Sequence, residues 1–174
     1  QAGLGGTAVA IEAGLLAREE VEESLGRMMD NVRRAGASSI GLTLYPVYPK
    51  GTFKNPAMVP YSYQNGGDWC WFGGRMIRQL IRCGLVAEAY RELKPMATRV
   101  VRHGDFYEWW SLDNQPRGSK QYRGSAGVLG MAIVELLAWA GQHQGDSAER
   151  TDARHEGALW QIGKADGSNA EFAL

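Results

Sequence analysis

Tyr63-Gln64-Asn65-Gly66-Gly67-Asp68-Trp69-Cys70-Trp71-Phe72-Gly73-Gly74-Arg75-Met76-Ile77-Arg78-Gln79-Leu80-Ile81-Arg82 passes from a turn into a helix, and that passage decides the fold. Asn65-Gly66-Gly67 is a tight-turn signal that needs positive φ, and Asp68 stands where an N-cap belongs. From Trp69 onward Phe72, Met76, Ile77, Leu80 and Ile81 recur at helical spacing, and Gly84 follows as a C-cap.

Outward from this helix the same periodicity predicts four more. A nearly all-apolar helix spans about Thr7 to Leu16. An amphipathic one over Arg18 to Ala35 carries the stripe Val21, Leu25, Met28, Met29, Val32, with Glu19, Glu20, Glu22 and Glu23 near its N-terminus as the helix dipole favours. Val86 to Arg102 is amphipathic through Tyr90, Leu93, Ala97, Val100 and Val101, and Pro95 should kink or split it. Tyr122 to His143 is apolar almost all round except for Glu135. No stretch shows convincing strand alternation, so the expected class is all-α, with short β pairs allowed inside long loops such as Ile40 to Tyr45. Helices one and two, and three and four, are joined by a few residues, which predicts antiparallel αα-hairpins. The other links, Gly36 to Asp68 and His103 to Gln121, are long, and long unstructured links are usually functional or disordered. Stacked hairpins put every long link at one end. The loops Tyr63–Trp71 and Asp105-Phe106-Tyr107-Glu108-Trp109-Trp110, which hold four of the six tryptophans, are thus expected on one face.

Composition narrows the partners. Nineteen basic residues balance nineteen acidic ones, so no net field points to nucleic acid or to an anionic membrane. No run of about 18 apolar residues is expected to span a bilayer, and the N-terminus lacks a signal-peptide layout. Cys70 and Cys83 share one helix, roughly 20 Å apart at ~1.5 Å rise per residue, so they are expected as free thiols, which leans toward a cytoplasmic compartment. His103, His143 and His155 have no metal-ligand spacing, and no metal or organic cofactor is implied.

Aromatic faces beside carboxylates and amides suit a neutral, hydroxyl-rich ligand, a carbohydrate. Glu108 lies between Tyr107 and Trp109, a setting that tunes a carboxylate for acid–base work; its bland reading is a solvated or helix-capping residue. Asp68, Asp105 and Asp113 add carboxylates. Gly67 would let a ligand approach the backbone and Asn65 would offer its amide to hydroxyls. At least one tryptophan of each pair, Trp69/Trp71 and Trp109/Trp110, is expected in the core. Arg75, Arg78 and Arg82 form a solvated or ion-paired stripe. Gly3-Leu4-Gly5-Gly6 lacks the preceding strand and the Gly-Lys-Ser/Thr of a phosphate loop.

Pro60 to Trp69, Asp105 to Trp110, and Gly118-Ser119-Lys120-Gln121-Tyr122-Arg123-Gly124-Ser125-Ala126-Gly127 together resemble the C-terminal part of the (α/α)6-toroid glycoside hydrolases. The similar group spans amylo-α-1,6-glucosidases, processing α-glucosidases and neutral invertases. In that group a Tyr-X-Asn-Gly-Gly-X-Trp segment lines the sugar pocket, matched by Tyr63, Asn65, Gly66, Gly67 and Trp69. An aromatic-X-Glu segment supplies the catalytic base, matched by Glu108, and Ser125-Ala126 matches a pair at the next inner helix. Cys70 stands where the group commonly has proline, and the group's general acid lies upstream of the matched region.

The resemblance implies a partial toroid over residues 1–143, with 144–174 as a polar segment or tail. It implies an inverting glycoside hydrolase acting on an α-glucoside or related oligosaccharide, with Glu108 as base. Asp68 is the in-chain substitute for an acid otherwise outside the chain. Tyr63, Trp69, Trp109 and Trp110 would shape the subsite, and Gln64, Asn65 and Lys120 would bind hydroxyls. The alternative is a non-catalytic carbohydrate-binding or interaction protein. Helices as apolar as the first and fifth predict self-association or union with a missing half of the toroid.

Overall fold

Among the described residues, four of the five helices stop within two residues of a glycine in the left-handed region. A computed structural model describes residues 2–143, and the 144–174 segment lies outside the described residues. Among the described residues the chain is mostly helical: α1 (Leu4–Glu12), α2 (Arg18–Ala35), α3 (Cys70–Arg82), α4 (Val86–His103) and α5 (Arg123–His143). Two short antiparallel pairs complete it: β1 (Ala2–Gly3) with β2 (Leu44–Tyr45), and β3 (Trp109–Trp110) with β4 (Pro116–Arg117). The chain divides into two units, Gln1–Ala138 and Trp139–Leu174. The first carries everything that follows; in the second, Trp139 stacks on His143.

α2 has the expected bounds. Glu20 accepts the Ala17 N–H at 2.8 Å and Gly36 ends the helix at φ +68°. Its Val21, Leu25 and Met28 are buried, with Met29 and Val32 packed beside them. α1 runs three residues earlier than expected and stops at Glu12, because Gly14 turns left-handed at φ +70° and Leu15 N–H returns to the Ala10 carbonyl. Leu15 is left 72% exposed. α4 continues through Pro95 unbroken; the exposed position of Arg91, whose carbonyl loses its partner there, lets water replace that bond. Its inward face also differs from the expected one. Tyr90 and Val101 are exposed, and the buried stripe is Ala89, Glu92, Leu93, Met96 and Arg99.

α3 is the hub, packed against both α1 and α4. Gly73 and Gly74 are what allow the close approach: a Cβ on Gly73 would overlap Met96 of α4, and one on Gly74 would lie 3.2 Å from the Leu129 backbone of α5. The arginine stripe of α3 is ion-paired. Arg75 meets Glu12 at 3.3 Å, Arg78 meets Glu135 at 2.6 Å, and Arg82 lies within 3.6 Å of both acids. Cys70 and Cys83 are free thiols.

α5 is one point where the sequence reading needs correction. With Glu135 as its single interruption it is long and apolar enough, by length and composition, to cross a bilayer. Here Ser125, Leu129 and Ala132 are buried while Met131, Val134 and Leu137 are exposed. Val9 and Leu15 are exposed as well.

Candidate functional site

Backbone pairing, rather than helix packing, joins the two aromatic loops. Asp68 is the middle rung of a short ladder: it bridges Leu42 on one side and Trp110 on the other, and Trp110 in turn pairs with Pro116. On the first side Thr43 N–H donates to the Gly67 carbonyl at 3.0 Å and Trp69 N–H to the Gly41 carbonyl at 2.9 Å. On the second, Asp68 and Trp110 exchange both bonds, at 2.9 and 2.7 Å. The Tyr63 ring then stands edge-on to Trp69 at 5.2 Å and to Trp109 at 6.5 Å. The two loops form one face.

Several residues expected to touch a ligand are instead inside the protein. Asp68 is 1% exposed; both carboxylate oxygens accept from Ser39 Oγ at 2.7 Å, and Oδ1 also accepts from Arg99 Nη2 at 2.7 Å. It neither caps α3, whose N-cap is Trp69, nor has room to reach a glycosidic oxygen. Burial alone would lower the Arg99 pKa, but the charge of Asp68 outweighs it and holds the guanidinium protonated beyond its ordinary range. Cys70 Sγ accepts from Arg99 at 3.2 Å, and burial pushes its thiol up. Asn65 is fully buried, so its amide is not offered to hydroxyls. Nδ2 donates to the carbonyls of Tyr48 (3.0 Å) and Met58 (3.1 Å), while Oδ1 accepts the Tyr48 N–H (2.9 Å). Gly66 takes the left-handed φ of +94° beside Val47. Gly67 opens the backbone to the Trp109 ring, not to a ligand. One tryptophan of each pair is core, as expected: Trp69 and Trp110 are buried, and Trp71 and Trp109 are half-buried. Trp69 Nε1 donates to the Tyr63 carbonyl at 3.0 Å.

What remains at the surface is smaller and more specific. Glu108 is half-buried and held at both ends by Ser119. Its backbone N–H donates to the Ser119 carbonyl (3.0 Å), and its Oε2 accepts the Ser119 N–H (3.1 Å). Gly118, at φ +70°, makes room for that carboxylate, which a Cβ would overlap. Among the described residues Oε1 has no hydrogen-bond partner. Tyr63 takes φ +50° and Gln121 φ +52°, conformations that cost non-glycine residues roughly 1–2 kcal/mol each. Gln64 is exposed, with only its backbone carbonyl engaged, by Thr43 Oγ1. Lys120 is exposed, its ammonium 5.9 Å from the centre of the Tyr107 ring.

Tyr122 belongs to this group although the sequence reading did not select it as a site residue. Its ring packs edge-on to Trp69 at 6.2 Å. Its phenol is pushed up first by burial, then by the charges of Glu108 and Tyr63. The signal was its place as the first residue of the expected fifth helix, directly after the link His103 to Gln121 at the aromatic end. The other loop carboxylates are committed: Asp105 Oδ1 accepts the N–H groups of Phe106 and Gln121, and Asp113 accepts from the Ser111 hydroxyl. Among the described residues no three His, Cys, Asp or Glu side chains cluster as metal ligands. No family model matches this chain, and no curated protein matches it either.

Proposed function

We propose that Tyr63, Trp109, Tyr122 and Glu108 form a saccharide subsite, and that the chain is the base-bearing part of an (α/α)6-toroid glycoside hydrolase acting on α-glucosides. The carrying observation is the Glu108 carboxylate, clamped through Oε2 by Ser119, with Oε1 left without a hydrogen-bond partner among the described residues. A carboxylate fixed by a backbone donor on one oxygen keeps the other to take a proton from water, the role of the base in inversion. Aromatic edges and faces supply the apolar contact that a pyranose needs, and Gln64 supplies an exposed amide. In this reading the general acid comes from outside these residues, across the ~6.5–9.5 Å gap that inversion requires. α1 and α5, with Val9, Leu15, Met131, Val134 and Leu137 exposed, are the edges against which further hairpins of the toroid would pack.

A second reading, a binding module without hydrolysis, is favoured by one observation: Asp68, Asp105 and Asp113 are all engaged, leaving no second loop carboxylate beside Glu108. Tryptophan fluorescence titrated with glucose, maltose and maltotetraose tests the subsite, since Trp109 is half-exposed within it. Saturable quenching that changes in Glu108→Gln, with glucose release only when the acid-bearing part of the toroid is supplied, is expected for the hydrolase. Quenching without release, and unchanged in Glu108→Gln, supports the binding module. No saccharide response sinks both readings. A monodisperse monomer in light scattering counts against the toroid part of the proposal.

A further inference from the structure

Between β2 and the aromatic turn runs a stretch whose hydrogen bonds are nearly all its own. Thr52 N–H and Oγ1 both donate to the Pro49 carbonyl, Met58 N–H to the Asn55 carbonyl, and Ala57 N–H to Asn55 Oδ1. Tyr48 and Phe53 pack edge-on at 5.2 Å, again within the stretch. Among the described residues, 49–57 make no hydrogen bond to anything outside 48–58, and most of their side chains are exposed. What ties the stretch down is one side chain. The buried amide of Asn65 holds Tyr48 by its N–H and carbonyl and Met58 by its carbonyl, so both ends of the loop meet at a single group.

We propose that residues 48–58 form a strap that opens independently of the helical core, with the Asn65 amide as its latch, and that it is the movable wall of the aromatic face. Its position follows from the latch: Asn65 lies between Tyr63 and Gly67, and the Trp109 ring stands beside both. Among the described residues no other hydrogen bond to the rest of the protein has to break for residues 49–57 to lift. The ladder through Asp68, by contrast, is paired on both sides and anchored by a buried ion pair. Elements with few bonds to the body of a protein open at the low end of its stability range, and such segments supply lids and binding loops. The inference is independent of what the aromatic face binds.

Limited trypsin digestion of the whole chain tests it, because Lys50 and Lys54 lie on the strap while Arg117 and Lys120 lie on the other exposed loop. Where opening is fast, cleavage tracks the population of the open form. Losing three backbone-to-amide bonds in Asn65→Ala should raise cleavage after Lys50 and Lys54 by about tenfold or more. Cleavage after Arg117 and Lys120 should not change. A parallel rise at all four sites would make Asn65 an ordinary core residue and overturn the strap, as would no rise at all. Hydrogen exchange on the unmodified protein covers the case in which Asn65→Ala fails to fold. The Tyr48 amide should exchange at least about tenfold faster than those of Asp68 and Trp110. Equal protection at the three would overturn the proposal.

Discussion

Asp68 and Glu108 are two carboxylates in similar local sequence, each directly followed by a tryptophan in a turn-rich loop at the same end of the helices. Their fates are opposite. Asp68 is 1% exposed, with both oxygens filled by Ser39 and Arg99, and its backbone is paired on both sides. Glu108 is half-buried, paired on one side through Ser119, with one oxygen open. The difference lies behind each residue. α4 presents Arg99 at a buried position, so an acid on the middle rung is drawn inward. Among the described residues no buried cation pairs with Glu108. What separates these two carboxylates is thus the helix face behind Asp68, which supplies Arg99.

The comparison breaks most sharply on the buried side. Removing one partner of a buried ion pair leaves the other charge unsolvated and costs about 3–5 kcal/mol, whereas replacing both with apolar groups is often neutral. Asp68→Ala should lower the unfolding free energy by that amount in urea titration, and Arg99→Leu likewise. The double variant should recover a large part of the loss. Equal, small costs for both single variants would mean that the pair does not organise the ladder. The same substitution logic at Glu108 predicts a change within about 0.5 kcal/mol for Glu108→Gln, as for surface positions generally.

These two sites also show how far the sequence could be read. α2 was legible to the residue because capping acid, apolar stripe and terminal glycine all agree. The inward face of α4 was not. Hydrophobic periodicity admits only apolar residues to the core, so Glu92 and Arg99 were passed over in favour of Tyr90 and Val101. Yet Ala89, Glu92, Leu93, Met96 and Arg99 fall on one helical stripe. The partner that makes Arg99 tolerable inside is Asp68, 31 residues away, and no local pattern encodes that pairing. Asn65 was misread for the same reason: its amide looks available until the carbonyls of Tyr48 and Met58, 17 and 7 residues away, are seen to use it. Glu108, Tyr63 and Trp109 were legible because turn residues and aromatics between helices mark a surface loop. What fixes them, the Ser119 clamp and the Asp68 ladder, is long-range.

A smaller effect is expected where the two loops touch. Gly67 lies beneath the Trp109 ring, and a Cβ there would meet the Tyr63 carbonyl oxygen and, at 2.9 Å, Trp109 Cε3. Since the first obstacle is backbone, Gly67→Ala should cost about 1–3 kcal/mol, the usual range for overpacking. The Asp68 rung next to it should hold, so far-UV circular dichroism should stay native while the near-UV tryptophan signal changes. An unchanged near-UV spectrum would mean that Trp109 is not seated on the turn.

The finest test concerns whether Glu108 and Tyr122 share one face. Burial raises the Tyr122 phenol pKa above its ordinary value of 10, and the negative charge of Glu108 raises it further. An acid whose folded pKa is raised favours the folded state below the unfolded value, and that contribution is lost as pH climbs through the folded value. In Glu108→Gln the carboxylate charge is gone, but burial remains. Tyr122 should then ionise at a lower pH than in the native protein while still titrating above the ordinary tyrosine. Alkaline loss of stability should accordingly be milder in the variant. Phenolate absorbance followed through the alkaline range reads this directly. Repeating the comparison in a Tyr122→Phe background assigns it, because the difference between Glu and Gln at position 108 should vanish there. A difference that persists without Tyr122 would place the charge of Glu108 beside another phenol, and the proposed saccharide subsite would lose Tyr122.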